Sequence, residues 1–291
     1  MNSLDALIDT AADTEVVSRS ASALQRQLQP LGKTGAMARK VEDLLHGVPL
    51  GHPVHSVLTD LTIGLYTSTF FLDLLELFDT NEERASISDG FLLGGLLSAV
   101  PTIITGVADW KDSEGRTRNL GLIHAALNAT ANLCYLGAYV SRKRSRGVRL
   151  ALAFAGATVM TAAAYLGGRM VYREKFGANH SQPPLRLETW TPVLPVQELE
   201  DNTPHRVVIH NFKVLLYKED DVIYATQEVC PHFGGPLSEG KVHSLTVTCP
   251  WHQSVFDLQD GSVIHGPSCY PLQTFEVSVL DNMVCIRTTR K

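Results

Sequence analysis

Four residues in the last third of the chain have the types and spacing to hold a metal. Cys230-Pro231-His232 is followed by sixteen residues and then by Cys249-Pro250-Trp251-His252. A Cys-x-His and a Cys-x-x-His on two loops can grip one metal centre from two sides, offering two thiolates and two imidazoles. A Cys2His2 zinc site is one outcome of that donor set. It pairs Cys with Cys and His with His, usually beside a helix, and no helical pattern accompanies these boxes. With Cys134, Cys269 and Cys285 the chain has five cysteines, an odd and scattered set that does not read as a disulfide framework. Cys269 and Cys285 read as small buried apolar residues.

Such loops need a rigid support. From residue 189 onward, short β-branched runs alternate with turn signals: HRVVIHN, KVLLYKEDD, VIYATQ, SLTVTCP, SVFDLQDG, TFEVSVLDN and MVCIRT. Gly261 after Asp260, and Asp281-Asn282, mark hairpin turns. The pattern predicts a compact all-β domain over 189–291. The boxes CPHFGGPL and CPWHQSVFDLQDG, with the later GPSCYPLQTFEV, closely resemble the Rieske [2Fe-2S] family over about residues 190–288. That resemblance implies a [2Fe-2S] cluster with Cys230 and Cys249 on one iron and His232 and His252 on the other.

The departures from the family carry information. Where respiratory-complex members have two further, bridging cysteines, this chain has Gly235 and Trp251. Ser254 matches the serine that hydrogen-bonds a bridging sulfide. Phe256 stands where a tyrosine hydroxyl would bond a cysteine sulfur. Hydrogen bonds to sulfur stabilise the more negative reduced cluster, so the expected potential is about −150 to +150 mV.

The rest of the chain is of a different kind. With 25 Lys+Arg against 30 Asp+Glu the net charge is −5, which excludes a generally basic nucleic-acid binder. Charge is missing from 91–108, 119–141 and 150–168, each about the length that crosses a hydrocarbon core of roughly 30 Å. A fourth segment, 57–78, carries Asp60, Asp73 and Glu76, which are expected to face the bundle or lie near its ends. The expected fold class is a multidomain membrane protein, a four-transmembrane-helix bundle plus an all-β Rieske-type domain. Residues 1–45, with Leu24, Leu28 and Leu31 at helical spacing, read as a soluble helical extension packing on the rest. No cleavable signal peptide and no internal repeat are read from the sequence. The bundle is assigned to 46–172, a polar linker with Pro183-Pro184 to 173–188, and the Rieske domain to 189–291. The N-terminal half also resembles an uncharacterised family of four-helix bacterial membrane proteins. Leu45-His46-Gly47 and Gly51-His52-Pro53-Val54-His55 carry that likeness, with Asp60 and Gly64 beyond.

In an up-and-down bundle, His52 and His55 at the start of the first span and His124 near the start of the third lie on the face from which the linker leaves. Three readings stay open. His55 (or His52) and His124 could be axial ligands of a b-type haem. They could line a quinone site, with Asp60 or Asp109 taking protons. Or they are interfacial histidines bonded to helix ends. Lys and Arg near the spans number eight on the Rieske side and six on the other, the latter including the dense RKRSR run. No adjacent Arg-Arg suggests export of a folded cluster domain, and the missing bridging cysteines suit a reducing compartment. The expectation is a multi-pass protein of the inner (cell) membrane with a cytoplasmic Rieske domain. Its expected work is single-electron exchange between a soluble redox partner (reductase or acceptor) and a membrane redox site, haem or quinone, within the lipid bilayer. A redox sensor or scaffold without steady electron flux is the alternative. A mononuclear-iron oxygenase is not expected, because no catalytic domain follows the Rieske segment.

Overall fold

Hydrophobic periodicity divides the chain into helix and strand as its composition demands. The structure, a computed structural model, describes residues 3–28 and 35–289. Leu31 and Gly32 of the expected N-terminal helical run lie outside the described residues. Seven α-helices come first among the described residues: α1 Ser3–Ala12, α2 Glu15–Leu28, α3 Ala36–His46, α4 Val54–Glu76, α5 Glu82–Trp110, α6 Gly115–Ser141 and α7 Arg146–Tyr172. Ten strands follow. Two compact units result, Met1–Lys33 with Val54–Phe176, and Thr34–Pro53 with Gly177–Lys291. The N-terminal stretch expected as one extension is therefore divided, because α3 belongs to the unit that holds the strands.

In the helical unit, local signals set the ends. The Asn81 side chain caps α5 by accepting from the Arg84 amide (2.9 Å), and Ser145 caps α7 by accepting from Val148 (3.3 Å). Two helices, Glu82–Trp110 and Arg146–Tyr172, are long and apolar enough to cross a membrane by length and composition. α4 falls short because of Asp60, Asp73 and Glu76, and α6 because Asn119, His124, Asn128 and Asn132 lower the hydropathy of its charge-free stretch. Asp73 and Glu76 are buried as expected, whereas Asp60 is exposed. The helices α1 and α2 pack on this unit through polar pins. Asn119 Nδ2 donates to the Ala12 carbonyl (3.0 Å), Gln25 Nε2 donates to Trp110 and Ser113 carbonyls (3.0 and 2.9 Å), and Asp9 pairs with Arg169 and Arg116.

The pairs α4–α5 and α6–α7 repeat one plan, which the sequence reading missed. His55 and Tyr66 stand eleven residues apart in α4, as His124 and Tyr135 do in α6; Gly95 and Gly106 in α5 are matched by Gly156 and Gly167 in α7. Eleven residues are about three turns, so each His and Tyr share a face. The two tyrosine rings stack at 3.9 Å between centroids. A Cβ on Gly95 would overlap the Tyr66 ring, and one on Gly156 would come within 3.1 Å of Tyr135. A Cβ on Gly106 would reach His55 at 2.7 Å, and one on Gly167 would reach His124 at 3.0 Å. Each hairpin thus makes room for one imidazole and one phenol.

The β unit has two sheets. β1 Thr191–Pro195, β10 Met283–Thr288, β9 Thr274–Leu280, β4 Val222–Gln227, β3 Phe212–Glu219 and β2 His205–Ile209 lie side by side in that order; β5 Lys241–His243, β6 Thr246–Thr248, β7 Val255–Asp257 and β8 Val263–His265 form the second sheet. All named pairings are antiparallel. Two-residue turns with both φ values positive join β2–β3 (His210-Asn211), β3–β4 (Asp220-Asp221), β5–β6 (Ser244-Leu245) and β9–β10 (Asp281-Asn282). Such turns match the right-handed twist of paired strands. The second half of the expected linker is bound to this unit: Gln182, Leu185 and Leu187 exchange hydrogen bonds with Asn211, Gln273 and Thr288.

Candidate metal centre

The two boxes fold into matched loops. In the first, the Cys230 amide donates to the Gly235 carbonyl (2.9 Å) and the Gly234 amide returns to the Cys230 carbonyl (2.9 Å). In the second, the Cys249 amide donates to the Ser254 carbonyl (2.8 Å) and the Gln253 amide returns to the Cys249 carbonyl (3.1 Å). The fifth residue of each loop is left-handed, Gly234 at φ 80° and Gln253 at φ 64°. Glycine adopts that conformation without penalty and glutamine does not. Gln253→Gly is therefore expected to raise the stability of the β unit by about 1 kcal/mol in chemical unfolding.

These closed loops turn backbone N–H groups onto the sulfurs. The amides of His232 and Phe233 reach Cys230, and those of Trp251 and His252 reach Cys249. Such inward-pointing amides favour negative charge. Cys230 also donates to Cys249. That bond draws the Cys249 thiol down to about 7 against the opposing effect of burial, helped by its amides. Donating the same bond, together with burial, pushes Cys230 up. Burial first, and then the neighbouring His252, His46 and His180, holds the His232 imidazole well below its usual pKa, so it is neutral.

The histidine rings meet edge to face, 4.9 Å between centroids, and Phe233 packs on His232 at 4.4 Å. Among the described residues His232 Nδ1 is buried without a hydrogen-bond partner, which fits a metal-ligating nitrogen. Two sulfurs and two imidazoles on opposed loops fit a [2Fe-2S] cluster of the Cys2His2 kind. Gly235 permits this closeness, since a Cβ there would lie 3.0 Å from the Cys249 sulfur and 3.1 Å from the Trp251 ring. Beneath the loops, Phe256, Leu237, Leu258 and Leu272 complete a core with both cysteines. Ser254 Oγ accepts from the Ser268 amide (3.0 Å), which leaves its own proton to donate. All five cysteines are free thiols.

The three other candidate histidines are placed differently. His55 Nδ1 donates to the Thr102 carbonyl (2.9 Å) and His124 Nδ1 to the Ala163 carbonyl (3.0 Å). His124 Nε2 accepts from Asn128 Nδ2 (3.1 Å). His52 is exposed, with Nδ1 on the Pro53 carbonyl (3.0 Å), and it belongs to the β unit whereas His55 belongs to the helical one. Sequence reasoning assigned no role at this centre to Asp43 and His46, which bond the 265–269 segment, or to His180, whose amide donates to the Pro231 carbonyl in the first loop (2.8 Å).

Residues 189–276 match the Rieske [2Fe-2S] domain family, and residues 51–180 match a family described as a predicted membrane protein (DUF2231). The chain carries a C-terminal Rieske [2Fe-2S] domain and an N-terminal DUF2231 domain. Apoptosis-inducing factor 3 of Mus musculus is 32% identical over 96 residues, 33% of this chain and 16% of that protein. This chain therefore spans under a fifth of that relative's length. Ferredoxin CarAc of Metapseudomonas resinovorans is 29% identical over 105 residues, 36% of this chain and 98% of the ferredoxin. Among solved structures, the complex of reduced oxygenase and oxidized ferredoxin in carbazole 1,9a-dioxygenase aligns at 27% identity and TM-score 0.33, covering 35% of this chain and 97% of that one. The Rieske and ferredoxin likeness supports a [2Fe-2S] electron-transfer role.

Proposed function

We propose that this chain is a membrane-anchored one-electron carrier, with Cys230 and Cys249 holding one iron and His232 and His252 the other. The observation that carries the reading is the pair of matched loops that brings these four side chains together, with a buried, unpartnered Nδ1 on His232. The cluster, when bound, takes up and returns a single electron. The chain's own part is to keep the His232 imidazole neutral, to aim four amides at sulfur and to exclude water with Phe233 and Phe256. Trp251, 55% exposed beside His252, offers an aromatic anchor to a soluble partner. By likeness to ferredoxins of dioxygenase systems, that partner is a reductase or an electron acceptor.

The helical domain, 46–172, is the anchor in this reading, crossing the bilayer four times. Large apolar side chains stand exposed on all four long helices, among them Val57, Leu61 and Phe71 on α4 and Leu133, Leu136 and Val140 on α6. An exposed apolar surface of that extent suits lipid. Residues 173–188 form the connection to the Rieske domain, 189–291. Free thiols throughout suit a cytoplasmic Rieske domain. A quinone is the favoured membrane redox partner. With each Nδ1–H committed to a carbonyl, Nε2 is left as an acceptor that suits a quinol hydroxyl, and on His124 that acceptor already holds Asn128. A haem would need Nε2 of both rings.

The test is a dithionite-reduced minus oxidised spectrum of the detergent-purified full chain, with iron and sulfide analysis. Broad bleaching, one electron and two irons per chain are expected. One zinc per chain without bleaching overturns the reading, and a sharp haem α-band replaces quinone with haem. Phe256→Tyr should raise the midpoint potential by about 40 mV, the equivalent of one hydrogen bond to sulfur of about 1 kcal/mol. A redox titration of the two proteins side by side measures it.

A further inference from the structure

The Rieske match begins at residue 189, yet α3 and the 3-10 turn Val48–Leu50 lie in the same compact unit. The attachment is specific. Asp43 Oδ1 accepts from His265 Nδ1 (2.6 Å) and from the Gly266 amide (2.9 Å). Cys269 Sγ donates to the His46 carbonyl (3.0 Å). Gly266 is pressed against the turn, for a Cβ there would stand 2.9 Å from Val48 Cγ2. At the end of α3, His46 is 2% exposed.

The segment held in this way, 265–269, is itself bonded to the second cluster loop. The Ser268 amide donates to Ser254 Oγ, and the Ser254 carbonyl receives the Cys249 amide (2.8 Å). An unbroken run of short contacts leads from the Asp43 carboxylate through Gly266, Ser268 and Ser254 to Cys249. Backbone geometry at a metal-holding loop is fixed by such outer partners.

We infer that α3 and its turn are a working wall of the cluster site, with Asp43 as a positioning residue that fixes the 265–269 segment. This rests on the ligand reading above. The wall leads directly into the helical domain, since Pro53 is followed by Val54, the first residue of α4.

The experiment uses the full chain in detergent and reads two quantities: the EPR line shape of the reduced cluster and the rate at which a chelator with ferricyanide bleaches the oxidised one. Asp43→Ala should shift the g values and speed bleaching about tenfold. Asp43→Asn keeps an accepting oxygen and should restore the line shape, with bleaching within about twofold of the parent. Gly266→Ala should open the wall by pushing on Val48, and adding Val48→Ala should reverse that effect. Unchanged line shape and lifetime in Asp43→Ala and Gly266→Ala, with a normal cluster in the parent, overturns the wall. Absence of a cluster from the parent overturns instead the ligand reading on which the wall rests.

Discussion

Cys249→Ala is expected to abolish the visible and EPR signature of the cluster and to bring bound iron to background, while the strands remain. Both halves of this expectation follow from the architecture. Cys249 is 1% exposed and its sulfur receives the amides of Trp251 and His252 together with the Cys230 thiol. Besides Cys230, which already serves the same iron, no other cysteine stands in either cluster loop, so no thiolate can replace it. A three-donor remnant would leave one iron with a single thiolate, too few to retain a two-iron cluster. The larger sheet has its own core of Val214, Leu216, Phe275, Val284 and Ile286, apart from the core that contains the cysteines. Far-UV circular dichroism should therefore change little, and the thermal midpoint should fall because a bound group stabilises the folded state. His232→Ala should behave likewise, since Nδ1 has no other partner to lose. Two irons per chain retained in Cys249→Ala would remove that residue from the site.

The metal boxes were legible because their chemistry is local. Cys-x-His and Cys-x-x-His each sit within one short loop, and the loop geometry follows from five or six consecutive residues. The β-runs were legible for the same reason, and Asp281-Asn282 announces its turn by residue type. His210-Asn211 and Ser244-Leu245 make the same left-handed turn with less telling residues; there the register of the flanking strands decides. The wall around Asp43 could not be read, because its partner His265 is more than two hundred residues away and neither residue belongs to a motif. The hairpin repeat was hidden by its sparse identities, which are mainly one His, one Tyr and two Gly per copy. Arg149 and Arg169, near the two ends of α7, are buried against carboxylates, a pairing that their positions in the sequence do not reveal.

Arg149 supports the second large effect. Its guanidinium, 3% exposed, bonds Asp73 (2.7 Å) with one nitrogen and Glu76 with another, and so joins α7 to α4. Ser88 of α5 donates to the same Asp73 oxygen (2.6 Å), and Arg146 bonds Glu76 from the outside (2.9 Å). Asp73 is fully buried. Removing the cation leaves Asp73 fully buried without its ion-pair partner and Glu76 with Arg146 alone, an uncompensated charge in a poorly polarisable surrounding. Arg149→Met is therefore expected to destabilise the helical unit by about 3–5 kcal/mol. The loss arises from the stranded anions, since Met fills much of the same volume. Neutralising them should return most of it. Arg149→Met with Asp73→Asn and Glu76→Gln is expected within about 1–2 kcal/mol of the parent, because the network was costly to desolvate in the first place. Unfolding in mixed detergent micelles, followed by circular dichroism, separates the cases. A single variant as stable as the parent, or a triple variant weaker than the single one, would show that the charges do not hold α4, α5 and α7 together.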